Sequence, residues 1–269
     1  MKAGVPRIRQ VLGEFSLRGS FYVSFGPDRS GLAVLQLFRP RFLLKMLRTN
    51  ASALYGMRTL LYGTLLPAPL IGLGFPDQVR SLVEEGHDVA CHAWDHRIWQ
   101  DWLPFMTMGM IRRWFAKMMG AYESLVGKAP ESFGAPGWRV DERVLRLAAE
   151  LGFRHLSCTR AQRPFIFAEN GIPEIPSNLP CIEEVGVRGV TAALSNHAGG
   201  SGIFILPVHA EVEGGIHLNA FRELLAHAVS CGYSFHTVHD LASGIASSDL
   251  PVRRLRIGYV QGRGFPCAV

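Results

Sequence analysis

The chain has 269 residues, 48% hydrophobic and 19% charged, which suits one sizeable α/β domain and leaves too little for two. Its five cysteines are odd in number, widely spaced and without a CxxC pair, which argues against a disulfide framework and predicts a reduced, cytosolic chain. A net charge of +6 without zinc-finger, RNP-like or helix-turn-helix signatures predicts no nucleic-acid partner.

The opening "MKAGVPRIRQ" lacks the apolar run of a signal peptide. Residues 5–18 predict a short helix, with Pro6 in its first turn and Val5, Ile8, Leu12 and Phe15 at helical spacing. Gly19 ends it, and "SFYVSFG" (20–26) reads as a buried strand. Residues 32–50 place Arg41, Lys45 and Arg48 at i, i+4 and i+7 among apolar side chains. Residues 59–75 follow, apolar but broken by Pro67 and Pro69, too short and interrupted for a spanning helix. Together 32–75 predict a membrane-facing insertion of interfacial type; the alternative is that both segments simply cover the domain.

Residues 76–94, 141–158 and 219–238 repeat the order helix, glycine, strand, and "SGIFILPVH" (201–209) reads as a further buried strand. This repetition predicts parallel βαβ packing with functional residues at the C-terminal ends of the strands. Folds of this kind usually open with a strand, whereas this sequence opens with a helix.

"CHAWDHRIW" (91–99) places His92 and His96 four residues apart at a predicted strand end, flanked by Trp94 and Trp99. Imidazoles at that spacing turn toward one point and suit zinc, manganese or cobalt equally. Asp95 lies between them, but adjacent ligands on one short turn rarely close a tetrahedral site. "FGAPGWRVDE" (133–142) is a Pro-Gly turn into a helix. There Trp138 and Arg139 are expected to be exposed, with the tryptophan able to stack on a sugar ring. "LPVHAEVEGG" (206–215) adds His209, Glu211 and Glu213; a histidine there is a candidate general acid. The competing readings are a chance histidine pair, a packed loop tryptophan and a satisfied core histidine.

HxxxH, then "APGW", then a late histidine before Glu-x-Glu resembles the polysaccharide deacetylases, carbohydrate esterase family 4. "SFGPD", "FRPRFLLKMLRTNASALYG", "GHDVACHAWDHRIWQ", "GWRVD" and "VHAEVEGG" resemble one bacterial branch. That branch deformylates undecaprenyl-phosphate-linked 4-deoxy-4-formamido-L-arabinose in lipid A modification and polymyxin resistance. The resemblance implies a distorted (β/α) barrel over 1–269 as one NodB-like domain. It also implies a divalent-metal amidohydrolase at the cytoplasmic face of the inner membrane, with the lipid-linked sugar and the membrane surface as partners. His92 and His96 match the family's metal histidines, and His209 its proton donor. Trp94, Trp138, Arg139, Glu211 and Glu213 fall where the sugar would bind.

Three features depart from the family. Its first strand, ending in Asp-x-Asp, has no counterpart, so a strand and loop of roughly 15–20 residues is expected ahead of Met1. Cys158 stands where relatives carry the aspartate that orients the late histidine, which predicts a poorly poised His209. Gly134 replaces the arginine before the Ala-Pro-Gly turn, and Arg139 is the candidate substitute. Two alternatives follow: an inactive homologue that binds the lipid-linked sugar, and a polysaccharide N-deacetylase.

Overall fold

The computed structural model describes residues 1–32 and 61–269. Arg41, Lys45 and Arg48 lie outside the described residues. The elements follow the repeated helix–glycine–strand order. Helix α1 (Gly4–Glu14) buries Val5, Ile8, Val11 and Leu12, and strand β1 (Ser20–Val23) follows. Helix α2 (Pro76–Glu84) starts on a proline, where a missing N–H costs nothing, and leads to β2 (Asp88–Cys91). Helix α3 (His96–Trp102) is capped by Asp95. Helix α4 (Met108–Val126) is capped by Thr107 and ends on left-handed Gly127. Strand β3 (Ser132–Gly134) precedes α5 (Glu142–Glu150), where the Asp141 carboxylate accepts from two first-turn N–H groups. Strands β4 (His155–Ser157), β5 (Phe165–Phe167) and β6 (Pro173–Glu174) come next. Helices α6 (Ile182–His197), α7 (Leu218–Ser230) and α8 (Val238–Gly244) precede β7 (Val252–Arg253), with β8 (Ile257–Gly258) and β9 (Cys267–Ala268) pairing at the end.

Seven strands form one sheet in the order β1-β2-β3-β4-β6-β5-β7, parallel except between β5 and β6. The α/β class and the parallel sheet are therefore as predicted. Among the described residues the sheet is open, with no ladder joining β1 to β7, rather than a closed barrel. Two expected strands also carry no ladder. Residues 201–209 are tied to the segment before α6 instead, through Leu179 N to Ile205 O (3.1 Å) and the Asn178 amide to Ile203 O and Ile205 N. Residues 233–237, after α7, likewise form no strand. Apolar content alone marks burial; a strand needs a neighbour that offers its backbone groups.

Parallel register aligns Val23 with Cys91 and Cys91 with Phe133, so these strands end on one side of the sheet and their following loops meet there. Beneath those ends Trp99, Phe115, Phe133 and Phe153 make ring contacts between 5.0 and 6.1 Å, the offset geometry aromatic quadrupoles favour. No helix among the described residues is long and apolar enough to cross a membrane.

Trp99 is fully buried and its indole N–H donates to Arg139 O at 2.8 Å, so it ties α3 to the turn after β3. Trp99→Ala is expected to cost about 3–5 kcal/mol, read as a lower urea midpoint; a change within experimental error would show that this cluster does not hold the strand ends.

Candidate active site

His92 is the first residue beyond β2. Its N–H extends the ladder to Val23 O (3.0 Å), and its Nδ1 lies 2.8 Å from Gly134 O at the end of β3. A carbonyl only accepts, so Nδ1 carries the proton and Nε2 keeps its lone pair, the tautomer a metal binds. A Cβ at position 134 would lie 2.5 Å from the Tyr22 ring, so the packing there calls for glycine.

His96 opens α3, its ring centroid 5.1 Å from that of His92. Asp95 between them is fully buried, accepts from Ile98 N at 2.9 Å and pairs with Arg29. Its carboxylate is thus committed to the helix cap. Burial lowers the pKa of His92 to about 4 against the opposing bond to Gly134, and the charge on His209 adds to the effect. Burial also holds His96 well below its ordinary value, with His92 and His209 contributing. Both rings are neutral at physiological pH, the form that ligates.

Two neutral imidazoles one turn apart fit a divalent ion as two arms of its coordination shell. Among the described residues neither belongs to a group of three His, Cys, Asp or Glu ligand atoms within one ion's reach. Residues 33–60 hold none of these four types. The one such trio is Cys181, Glu183 and His209. Burial first, then the nearby Glu184 and Glu183 charges, push the Cys181 thiol up, so it is a protonated thiol and a poor ligand.

His209 has the opposite charge state. Its Nδ1 lies 2.7 Å from Glu183 Oε2, in ion-pair contact off the line of an ideal hydrogen bond. Burial opposes protonation, yet Glu183, followed by Glu211 and Glu213, raises the His209 pKa to about 9. The side chain keeps 33% of its surface exposed, so solvent screening trims this shift without reversing its sign. Glu213 is buried and accepts from His209 N at 2.7 Å, closing the turn, and burial pushes its own pKa up to about 7. Glu211 is exposed.

Trp138 stands edge-on to His209, with centroids 6.4 Å apart. It is buried rather than exposed, because Arg160 and Arg263 close over its ring at 4.7 and 4.4 Å. Both guanidiniums pair with Glu184, at 2.8 and 3.2 Å. Arg139 turns away to donate to Pro266 O (3.2 Å), and it does not replace the missing arginine. The ring of Trp94 lies under the Lys117 ammonium at 5.5 Å, while its carbonyl accepts from Gly26 N.

Cys158 plays no part in poising His209: its thiol is fully buried, 3.5 Å from Phe133 O, and its N–H donates to Glu174. A carboxylate from α6, Glu183, lies against the His209 ring where the sequence offered only Cys158. Glu183, Glu184, Arg160 and Arg263 were missed by sequence reasoning. The run Cys181–Glu184 signals a capping box, which locates the helix start but not its partners. Of three non-glycine residues with positive φ among the described residues, Ala93 (59°) and Trp138 (54°) lie in these loops, where such strain collects at functional sites. A separate cavity of about 170 Å³, lined by His87, Asp88, Ser132 and His155, opens at the strands' N-terminal ends, away from this chemistry.

Residues 29–156 match the polysaccharide deacetylase family. The chain is 33% identical over 233 residues to a probable 4-deoxy-4-formamido-L-arabinose-phosphoundecaprenol deformylase of Shewanella sediminis, covering 84% of this chain and 76% of that protein. A protein of the same description from Wigglesworthia glossinidia brevipalpis is 28% identical over 273 residues, covering 97% and 95%. The fold matches a probable polysaccharide deacetylase structure from Pseudomonas aeruginosa PAO1 with a TM-score of 0.56 at 16% identity, over 90% of this chain and 72% of that one. With a relative 33% identical and covered to 76% of its length, and the deacetylase family matched over 29–156, the chain belongs to the polysaccharide deacetylase family.

Proposed function

We propose that this chain is an amidohydrolase that removes the formyl group from an undecaprenyl-phosphate-linked 4-deoxy-4-formamido-L-arabinose, giving formate and the free 4-amino sugar. The observation that carries the reading is geometric: His92 and His96 lie one turn apart at the end of β2 with ring centroids 5.1 Å apart, and His209 is held against Glu183 at 2.7 Å beside the Trp138 ring. An amide resists hydrolysis because its carbonyl is a weak electrophile and its amine a poor leaving group. A divalent metal held by His92 and His96 supplies Lewis acidity toward the carbonyl and toward water. His209 supplies the proton: as the C–N bond breaks, its free Nε2–H is given to the departing nitrogen while Nδ1 stays against Glu183. Trp138, fixed by its two arginines, walls the site beside His209 and keeps that ring in one plane.

The substrate assignment rests on the two deformylase relatives and on the sequence of 32–75. Arg41, Lys45 and Arg48 interleaved with apolar side chains suit the anionic cytoplasmic face of an inner membrane, where an isoprenoid-linked sugar is presented. We read 1–269 as one domain carrying that segment as its membrane-facing part. A second reading, a homologue that binds the lipid-linked sugar without cleaving it, draws on the absence of a third ligand beside His92 and His96 among the described residues.

Formate release from the lipid-linked formamido sugar, with and without added zinc, manganese or cobalt, separates the two. Stoichiometric formate supports the hydrolase, whereas sugar binding without formate at any metal concentration supports the binding homologue. Two imidazole arms alone are expected to hold zinc weakly, about micromolar or poorer, and His92→Ala or His96→Ala to abolish that binding. Equilibrium dialysis checks this, and zinc retained in both variants but lost in Cys181→Ser would place the ion elsewhere. The pH profile carries its own sign. A proton donor whose pKa is raised to about 9 is in working form below that value, so kcat is expected to fall as pH rises through about 9. A fall centred near 6.5 would show His209 to be an ordinary histidine.

A further inference from the structure

We propose that Glu183 is the positioning residue for His209. The inference rests on the reading of His209 as proton donor. It starts from a juxtaposition that the sequence hides: Glu183, in the first turn of α6, reaches the ring of a histidine 26 positions further on, with Oε2 2.7 Å from Nδ1.

Geometry gives the pair its direction. A carboxylate oxygen 2.7 Å from Nδ1 holds the proton on that nitrogen by charge and leaves Nε2 as the nitrogen that donates, so one ion-pair contact favours a single tautomer and ring rotation. Glu183 comes from a helix whose first turn is locked. Cys181 N donates to the Glu184 carboxylate at 3.1 Å, and Glu184 binds Arg160 in a buried ion pair. The neighbouring residue therefore anchors the backbone that carries Glu183. On the other face Trp138 meets His209 edge-on, itself held by the two arginines that Glu184 pairs with. One helical turn thus holds His209 from two sides, directly through Glu183 and through the Trp138 clamp by way of Glu184.

The other groups facing His209 do not duplicate this role. Glu213 is occupied with the backbone N–H of His209, and Glu211 is exposed and acts only through its field. His92 and His96, from the β2–α3 loop, are neutral. Cys158 points at Phe133 O. Glu183 is accordingly the carboxylate in direct contact with the ring.

Water's oxygen bonds to the formyl carbon and its proton passes to bulk solvent. As that adduct collapses, the C=O bond of formate forms and the electron pair of the C–N bond stays with nitrogen, which takes the Nε2 proton; His209 becomes neutral and keeps its Nδ1 proton against Glu183.

The test compares wild type with Glu183→Gln and Glu183→Asp by two independent readouts. In protein labelled with 15N-histidine, with His209 assigned through His209→Gln, the wild-type ring is expected to stay protonated well above neutral pH. Glu183→Gln is expected to return its titration toward the ordinary value near 6.5, and Glu183→Asp to keep most of the shift. In the formate assay Glu183→Gln is expected to lower kcat about 100-fold or more with KM little changed, to move the alkaline limb to lower pH, and to be partly rescued by Glu183→Asp. An unchanged His209 titration in Glu183→Gln overturns the proposal whatever the activity. A shifted titration with no loss of kcat overturns the catalytic half of it. A wild type that releases no formate overturns the hydrolase reading, and the NMR comparison still decides the pairing.

Discussion

The bond from His92 Nδ1 to Gly134 O, 2.8 Å across the ends of two neighbouring strands, is the constraint around which the site is organised. It converts the parallel register of β2 and β3 into a fixed ring orientation, and it assigns the tautomer in the same stroke. Tyr22 separately calls for a glycine at 134, since its ring fills the volume a Cβ would need. From that point α3 is launched by the Asp95 cap, which brings His96 back toward His92. The aromatic cluster below supports both ends: Phe133 adjoins Gly134, and Trp99 lies three residues beyond His96 on the same helix. Residues of no chemical reactivity thereby set the placement of the reactive ones.

Three histidines in one small volume titrate in different ways because different energies dominate at each. For His92 and His96 the cost of burying a charge wins, and the field of a cationic neighbour deepens the effect. His209 pays the same burial cost, yet a carboxylate in contact outweighs it. The three rings are mutually consistent, since a charged His209 keeps the other two neutral and two neutral rings leave it unopposed. Separation of this kind lets neutral and protonated imidazoles coexist in one site at the same pH.

Much of the fold was legible in the sequence because helix periodicity, glycine stops and N-caps are local. The helix of 5–18 appears as Gly4–Glu14, and the repeats at 76–94 and 141–158 appear as α2–β2 and α5–β4. The expectation failed for 201–209 and for the end of 219–238, where strand formation depends on a distant partner that no local pattern reports. The site divides along the same line. His92 and His96 lie close in sequence, and their spacing announced them. His209 stood out by its place after an apolar run. Glu183 and Glu184 looked like ordinary first-turn acids, favourable to the helix dipole. Only the tertiary path that brings 209 back to α6 gives the first of them a ring to hold.

Those two adjacent glutamates also show how surroundings, rather than residue type, assign roles. Glu184 is enclosed with Arg160 and Arg263, and burial acting against it is outweighed by those guanidiniums, so its pKa is lowered. It is a fixed anion whose work is structural: it holds two cations against Trp138. Breaking such a buried pair strands a charge and is costly, while the intact pair adds little net stability; its value lies in the single arrangement it enforces. Glu183 instead meets an imidazole, a group that can lose its charge without leaving its place. A permanent cation at that position would bind the carboxylate tightly and leave it nothing to do. An imidazole can release its outer proton while the inner one stays in place, so the contact persists through the cycle. The helix turn therefore separates the two tasks, fixing the frame with one carboxylate and leaving the other to follow the proton.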